Sequence, residues 1–124
     1  MDITPRTPQN STLISRYGNG GFFIHNVNYK GNIVILEGKV LPWPVVNIAQ
    51  VEQQSFQAFF DAESLPEILL IGSGAKTELL STVIRSALRS KGLNIDAMDT
   101  GAACRTYNVL LAEGRKVAAA LIAV

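Results

Sequence analysis

The sequence contains few of the residues that build reactive or cross-linked sites. Among its 124 residues there is one cysteine, Cys104, and one histidine, His25. A lone cysteine excludes an internal disulfide framework, and one Cys with one His cannot complete a zinc site from this chain alone. A Ser-His-Asp triad or a Cys-His pair would have to use the same single histidine. The sequence therefore contains no complete catalytic constellation.

The chain also has almost no net charge and no long apolar run. Eleven basic residues stand against ten acidic ones, so the chain has no basic face of the kind that binds DNA. The longest apolar run, residues 117–124, has eight residues, whereas a membrane-spanning helix needs about 20. The first residues resemble neither a secretory signal nor an Arg-rich presequence. We expect a soluble, cytoplasmic protein with no nucleic-acid partner and no integral membrane segment.

The apolar residues that are present suffice for one folded unit. They make up 48% of the chain, and 124 residues is an ordinary size for a single domain. Residues 1–10 contain two prolines and small polar residues, which predicts a loosely held arm before a single domain at residues 11–124. Glycines and asparagines then separate short β-rich runs. This pattern predicts an antiparallel meander that ends at Pro42-Trp43-Pro44.

Helical and strand periods alternate in the rest of the chain. Phe56, Phe59 and Phe60 have the spacing of a short helix. The apolar run at residues 68–71 predicts a strand that is buried on both faces. The next helix is predicted from an apolar stripe and is expected to end at Gly92. That stripe consists of Leu80, Val83, Ile84, Ala87 and Leu88.

The last third of the sequence continues this alternation. Residues 93–98 alternate as in a strand, and residues 116–124 form a final apolar strand. Between them, Asp99 or Thr100 is expected to cap a helix that Gly114 ends. The resulting β-α-β-α-β order favours parallel neighbours joined by right-handed crossovers. We predict one α/β domain with a central mixed sheet, helices packed against it and an N-terminal antiparallel portion.

The turn Gly72-Ser73-Gly74, called the Gly72 turn below, lies between the predicted buried strand and the helix after it. Backbone N–H groups at such a position can receive an anion. The dinucleotide pattern G-x-G-x-x-G is incomplete, because Thr77 stands where its third glycine belongs, and the P-loop pattern also fails. A tight turn without a ligand explains the same residues. Both the structural interpretation and anion contact stay open at this point.

Other chemical groups have simple structural explanations. Cys104 lies near the start of a predicted helix, where the macrodipole lowers a thiol pKa. However, His25 is far away in the sequence, and a small buried packing residue is the favoured interpretation. Asp96 and Asp99 are explained as the polar face of a strand and as a helix cap, which leaves little support for paired acid–base chemistry.

Three further residues keep two interpretations each. Trp43, between two prolines, either covers an edge of the core or anchors a partner, since Trp is enriched at interface hot spots. Tyr107 and Asn108 lie inside a predicted helix, where Asn is a mediocre helix former. Their polar ends either satisfy neighbouring loop backbone or line a small cleft.

Several segments together resemble one known family. They are Gly20-Gly21-Phe22, the hairpin at Tyr29, Trp43, Gly72-x-Gly74, and residues 98–108 and 110–121. The combination is similar to the small α/β domain family of unknown biochemical activity that includes mitochondrial respiratory complex I assembly factor 3 and the adipogenesis-associated domain protein. The likeness covers nearly the whole chain from about Leu13.

The resemblance implies a three-layer α/β fold with a mixed sheet and no established enzymatic activity. By analogy, the candidates for ligand or partner contact are Trp43 and a set of cleft residues. The cleft residues are Gly72, Ser73, Gly74, Thr106, Asn108 and Arg115. Because the chain lacks the presequence of the mitochondrial members, the expected location is the cytoplasm of a bacterial-type cell.

Two functions of different classes follow as hypotheses. The leading one is a non-catalytic binding or assembly-factor-like module with a protein partner, by analogy a respiratory or membrane complex under assembly. The alternative is a small-molecule or phosphate-binding protein, or an enzyme, that uses the Gly72 turn with Arg115. Neither hypothesis assigns a cofactor, a metal or an oligomeric state.

Overall fold

The N-terminal part of the described chain forms a small antiparallel sheet. The structure, a computed structural model, describes residues 12–124, so the arm predicted at residues 1–10 lies outside the described residues. Between the second and third strands, His25 and Asn26 have φ values of 50° and 67°, as a tight hairpin turn requires. The predicted meander is confirmed for three strands that pair in sequence order, namely β1 (Ile14–Gly18), β2 (Gly21–Ile24) and β3 (Val27–Lys30).

Beyond the meander, the chain forms a second hairpin and then alternates helices with strands. The remaining strands are β4 (Ile33–Leu36), β5 (Lys39–Pro42), β6 (Ile68–Gly72), β7 (Ile95–Met98) and β8 (Val117–Leu121). The helices are α1 (Gln57–Asp61), α2 (Thr82–Ser90) and α3 (Thr100–Ala112), and 3-10 turns at Ile48–Gln50 and Gln53–Phe56 precede α1. From β6 onward the order is β-α-β-α-β, as the apolar spacing predicts.

The central sheet has five strands in the order β5-β4-β8-β6-β7. Strand β4 pairs antiparallel with β5 and β8, whereas β6 pairs parallel with β7 and β8. The predicted mixed sheet is therefore confirmed. Its antiparallel part comes from the β4–β5 hairpin, which the sequence pattern assigned to the N-terminal meander.

The central sheet is buried on both faces, which makes the domain three layers thick. Alternate residues of a strand point to opposite faces. One face packs against α1 and α2, and its buried strand residues are Val34, Leu69, Ile71, Ala118 and Ala120. The other face packs against α3 and the meander, and its buried strand residues are Ile33, Ile35, Leu70, Ala119 and Leu121. The three-layer architecture implied by the resemblance is confirmed.

The start of α3 and the ends of α2 and α3 lie at the capping residues that the sequence predicts. Asp99 caps α3, because its carboxylate accepts a hydrogen bond from the Ala102 N–H at 2.8 Å. Gly92 follows α2 and Gly114 follows α3 with φ values of 91° and 78°. This left-handed conformation closes a helix C-terminus and favours glycine. These predicted caps are confirmed.

The start of α2 differs from the prediction. The helix begins at Thr82, and the Ser81 hydroxyl accepts a hydrogen bond from the Ile84 N–H at 3.2 Å. Leu80 is buried from the loop before the helix, whereas Val83 is 75% exposed. The prediction that Val83 belongs to the buried stripe was wrong. Leu80 lies outside the helix, so the three-residue spacing from Leu80 to Val83 does not place Val83 on the buried face.

Candidate functional site

Gly72 ends β6 at the point where the first turn of α3 crosses the strand. A Cβ atom at this position would lie 2.9 Å from the Thr100 hydroxyl oxygen and 3.0 Å from the Thr100 Cα. It would also lie 2.9 Å from a methyl group of Leu121. Glycine at this position therefore permits the close approach of α3 to the sheet.

Thr100 joins the three segments that meet at the Gly72 turn. Its hydroxyl donates to the Ile122 carbonyl at 2.7 Å and accepts from the Gly74 N–H at 2.9 Å. The Thr100 N–H donates to the Gly74 carbonyl, also at 2.9 Å. Because Thr100 is completely buried, its hydroxyl must find its partners inside the protein. Sequence reasoning considered Thr100 only as a helix cap and missed this role, although a hydroxyl beside the Asp99 cap was a usable signal.

Ser73 is also committed to bonds within the protein. Its N–H donates to the Met98 carbonyl at 2.8 Å, and its hydroxyl donates to the Lys76 carbonyl at 2.7 Å and accepts from the Glu78 N–H at 2.9 Å. The N–H groups of Ser73 and Gly74 are thus both occupied. A loop separates this turn from α2, which begins at Thr82. These contacts favour the structural interpretation of the Gly72 turn.

Arg115 lies at the opposite end of the parallel strands from the Gly72 turn. Its Nε donates to the Glu67 carboxylate at 2.7 Å, and this ion pair raises the pKa of the guanidinium above its ordinary value. Glu67 precedes β6 and Arg115 precedes β8, whereas Gly72 pairs with Leu121 at the far end. Four steps along a strand span about 13 Å. The structure therefore does not bring Arg115 to the Gly72 turn.

Tyr107 and Asn108 attach α3 to the start of the meander. The Asn108 side chain accepts from the Ile14 N–H and donates to the Ile14 carbonyl, both at 2.9 Å. The Tyr107 hydroxyl lies 2.8 Å from the Thr12 hydroxyl, and burial raises the pKa of Tyr107 to about 12. Asn108 bonds to neighbouring backbone, which favours the first of its two interpretations, whereas the Tyr107 hydroxyl contacts a side chain. Thr106 is half-buried and makes no side-chain hydrogen bond with residues 12–124.

Cys104 is a packing residue in the core between α3 and the sheet. It is 1% exposed, and burial raises the pKa of its thiol to about 12 although Arg105 nearby acts to lower it. His25 lies exposed in the β2–β3 turn. A neutral, buried thiol is a poor nucleophile. The interpretation of Cys104 as a small buried residue is confirmed.

Trp43 covers an edge of the core on the α1 side of the sheet. It is 4% exposed, and its indole N–H donates to the Ser55 carbonyl at 2.8 Å. Its ring lies 5.7 Å from that of Phe56 at an interplanar angle of 60°. These contacts favour the core-edge interpretation over an exposed anchor for a partner.

A cavity of about 710 Å³ opens near Arg115, and we call it the Arg115 cavity. This volume lies within the usual range of small-molecule sites. Its apolar wall includes Leu36, Pro66, Leu111 and Val117. Its charged residues are Glu37, Lys39, Glu63, Arg115 and Lys116. Within residues 12–124, no cluster of three His, Cys, Asp or Glu side chains could hold a metal ion.

The fold and these bonds define a small α/β domain whose buried polar side chains hold its own elements together. Residues 14–122 match the family described as "Protein of unknown function (DUF498/DUF598)", and the chain belongs to that family. No helix of the described part of the chain is both long and apolar enough to cross a membrane.

Relatives with more informative names are also similar to the chain. It is 32% identical over 122 residues to human NADH dehydrogenase (ubiquinone) 1 alpha subcomplex assembly factor 3, covering 98% of the chain and 66% of the human protein. It is 36% identical over 112 residues to the protein of that name from Rattus norvegicus, covering 90% of the chain and 60% of the relative. The chain thus spans less than two thirds of the length of these relatives.

A solved structure shares the fold. A protein from Bordetella pertussis, described as a Mth938-like domain, is 32% identical in sequence and superimposes with a TM-score of 0.76. The match covers 99% of this chain and 91% of that protein. The similarity in both sequence and structure supports the mixed-sheet architecture described above.

Proposed function

We propose that this chain is a non-catalytic assembly module that acts on the respiratory NADH dehydrogenase complex by contacting a protein partner. The observation that carries the proposal is its similarity, over most of its length, to relatives named as assembly factors of that complex. The partner is a subunit or intermediate of the complex. The cytoplasm is the proposed location, and cell fractionation with an antibody to the chain tests it.

The use of polar side chains supports binding over catalysis. Thr100, Ser73 and Asn108 are engaged with backbone groups of neighbouring segments. Cys104 is buried, and His25 lies on the meander in an exposed turn. A nucleophile needs an adjacent base within hydrogen-bond reach. The side chains of Thr100, Ser73 and Asn108 instead use their hydrogen-bonding groups to hold neighbouring segments together.

Deleting the gene for this chain from its source cells tests the proposal. We expect less fully assembled NADH dehydrogenase complex on native gels, together with accumulated partial complexes. Restoring the intact gene should restore the complex, and the conservative variant Thr100→Ser should restore it too, since the buried hydroxyl is retained. An unchanged amount of assembled complex in the deleted cells would refute the proposed function.

A second candidate function is the binding of a small anionic molecule with an apolar body in the Arg115 cavity. The specific observation in its favour is an apolar wall next to Lys39, Arg115 and Lys116. Apolar walls with a few convergent charged groups are typical of ligand sites. This candidate keeps Arg115 as a contact residue but separates it from the Gly72 turn.

Titration with anilinonaphthalene sulfonate, an anionic aromatic probe, tests this second candidate. We expect saturable fluorescence enhancement that Lys39→Glu weakens severalfold, because the substitution reverses a charge in the cavity wall. The matched control is Lys30→Glu, which makes the same charge change at the exposed end of β3. Equal weakening by both variants, or no saturable binding, would remove this candidate.

A further inference from the structure

The four sheet edges of the described chain are protected to different degrees. The outer edge of β1 is occupied at Ile14 by Asn108, whose side chain bonds both backbone groups of that residue. The edge strand β5 carries Lys39 and ends at Pro42, and β3 ends at Lys30. Lysine and proline on an edge strand discourage pairing with another chain. Strand β7, the remaining edge, has neither residue.

The backbone register shows which groups of β7 point away from β6. The Leu69 N–H donates to the Asn94 carbonyl and the Ser73 N–H to the Met98 carbonyl, both at 2.8 Å. In a parallel ladder, alternate residues bond to the neighbouring strand and the residues between them point away from it. The N–H and C=O groups of Ile95 and Ala97 therefore point outward from β6. They have no hydrogen-bond partner within residues 12–124.

Residues beside this edge form a groove that is partly apolar and partly charged. We call it the β7 groove, and its lining includes Leu79, Arg85, Arg89, Ile95, Asp96 and Ala97. The side chain of Asp96 points to the opposite face of the sheet from those of Ile95 and Ala97, because alternate residues of a strand do so. Leu79 is 62% exposed and contributes apolar surface to the groove. Arg85 and Arg89 are one helical turn apart on α2, so both guanidinium groups lie on the same side of the groove.

We propose that the β7 groove binds an extended, acidic segment of a protein partner as an added strand. This inference rests on the proposed function, because it names the surface through which an assembly module would hold its partner. The added strand bonds to Ile95 and Ala97 through its backbone, and its carboxylates on the α2 side meet Arg85 and Arg89. Main-chain bonds supply affinity in this mode, and side chains at alternate positions supply specificity.

Charge favours an acidic partner over a second copy of this chain. An antiparallel two-fold pairing of β7 with itself would place Arg85 and Arg89 of both copies on the same side of the joined sheet. Like charges brought together across an interface oppose association. An acidic strand replaces that repulsion with attraction.

Amide hydrogen exchange on the isotope-labelled chain tests this proposal residue by residue. The probe is a capped peptide of alternating Val and Glu, and the control peptide has Lys in place of Glu. We expect the Val-Glu peptide to slow exchange at Ile95 and Ala97 by about tenfold or more at saturation. Asp96 and Met98 should change little, because their N–H groups already bond to β6. The Lys peptide should bind about tenfold more weakly.

A charge-reversed variant provides the matched control. Arg85→Glu with Arg89→Glu should exchange the preference, so that the Lys peptide protects Ile95 and Ala97 more than the Glu peptide does. Should the double substitution disturb folding, as native Trp43 emission would reveal, Arg85→Gln with Arg89→Gln should still abolish the preference. Equal binding of both peptides to the intact chain, or protection elsewhere, would overturn the proposal. Protection that rises with protein concentration alone would assign the edge to a second copy and also overturn it.

The same variant separates this proposal from the proposed function. In cells deleted for the gene, the intact chain should restore the NADH dehydrogenase complex and the charge-reversed variant should not. Restoration by both would overturn the β7 groove while leaving the assembly role intact. A normal amount of complex in the deleted cells would refute the assembly role, whatever the result of the peptide-binding experiment.

Discussion

Thr100 fixes where α3 begins relative to the two parallel strands beside it. Its hydroxyl satisfies one donor and one acceptor from different segments, at a position with no exposure to solvent. A buried polar group left without a partner costs about 1–3 kcal/mol. The stability of the Gly72 turn therefore depends on this hydroxyl and on the absence of a side chain at Gly72.

Replacing Thr100 with Val keeps the side-chain volume but leaves the Gly74 N–H and one lone pair of the Ile122 carbonyl without this partner. We expect the free energy of unfolding to fall by about 2–3 kcal/mol. Urea denaturation followed by the emission of Trp43, the single tryptophan, measures this change. Thr100→Ser retains the hydroxyl and should lose about 1 kcal/mol for the missing methyl group. A Val variant as stable as the original chain would contradict this role.

The pKa values of two buried groups predict an alkaline loss of stability. Burial raises the pKa of Cys104 from 9.0 to about 12 and that of Tyr107 from 10.0 to about 12. Both groups are neutral when protonated, and the folded state holds their protons more tightly. Their contribution to stability is complete below about pH 9 and falls as the pH rises from 9 through 12.

Urea denaturation at a series of pH values between 8 and about 11 measures this loss. We expect Cys104→Ala to lower stability overall and to reduce the slope, since one of the two titrating groups is gone. At pH 8, iodoacetamide should modify Cys104 at least about 100-fold more slowly than a free peptide thiol. A slope unaffected by the substitution, or alkylation as fast as that of a free thiol, would contradict the buried, neutral thiol.

Local contacts explain which residue roles could be predicted from sequence. Asp99 bonds to a backbone group three residues away, so its cap is readable from order along the chain. Thr100 bonds to Ile122, 22 residues away, and this contact exists only because β8 lies beside β6. Sequence patterns placed Gly72 in the turn, whereas it is the last residue of β6, and they could not show that α3 packs on it.

At the scale of elements, α3 is the support on which the meander rests. Asn108 gives β1 the two hydrogen bonds that a neighbouring strand would otherwise provide. Tyr107 adds a buried contact at Thr12 on the same side of the helix. The two side chains therefore hold β1 against α3.

Asn108→Leu should loosen this attachment. The substitution leaves the Ile14 N–H and carbonyl without these partners, and we expect unfolding free energy to fall by about 2–3 kcal/mol. Amide exchange should accelerate more in β1 than in β6, because β1 is the element released. Val109→Ala, next along the helix and 57% exposed, is the matched control and should stay within about 0.5 kcal/mol. Equal effects of the two substitutions would contradict the attachment.

Element types were predictable where apolar spacing was long and regular, and less so elsewhere. Helix α3 has a cap and a terminating glycine in the expected places. For α2, Leu80 continues the apolar spacing by coincidence from a preceding loop, so the pattern placed Val83 in the core. The β4–β5 hairpin has the same local pattern as the meander, and only its long-range pairing with β8 assigns it to the central sheet.

At the scale of the whole molecule, β8 joins the two halves of the central sheet. It lies between β4, from the N-terminal half, and β6, from the C-terminal half. All five of its residues are buried. The central sheet therefore cannot be completed until the last segment of the chain is present.

A chain that ends at Lys116 should lose cooperative folding. Without residues 117–124, β4 and β6 have no common neighbour and apolar surface on both faces of the sheet stays exposed. We expect no sigmoidal urea transition in far-ultraviolet circular dichroism. A chain that ends at Ile122 keeps β8 and should retain a cooperative transition at lower urea concentration. A cooperative transition in the shorter chain would contradict the central role of β8.

The separation of Arg115 from the Gly72 turn shows the limit of site prediction at this scale. Open α/β sheets bind ligands outside the carboxyl ends of their strands, where Gly72 lies, whereas Arg115 lies at the amino end of β8. Their relative position depends on strand direction, and the parallel pairing of β6 with β8 puts them at opposite ends. The sequence predicted the parallel order of the strands, yet the resemblance to the family placed both residues in one cleft.

The most direct test of the assembly role is isolation of the tagged chain from its source cells at natural expression levels. Quantitative mass spectrometry of the bound proteins, with an unrelated tagged protein as control, identifies what it holds. The account predicts enrichment of NADH dehydrogenase subunits in proportions that match a partial complex. Recovery of the chain without any of these subunits, from cells that are actively assembling the complex, would contradict the account.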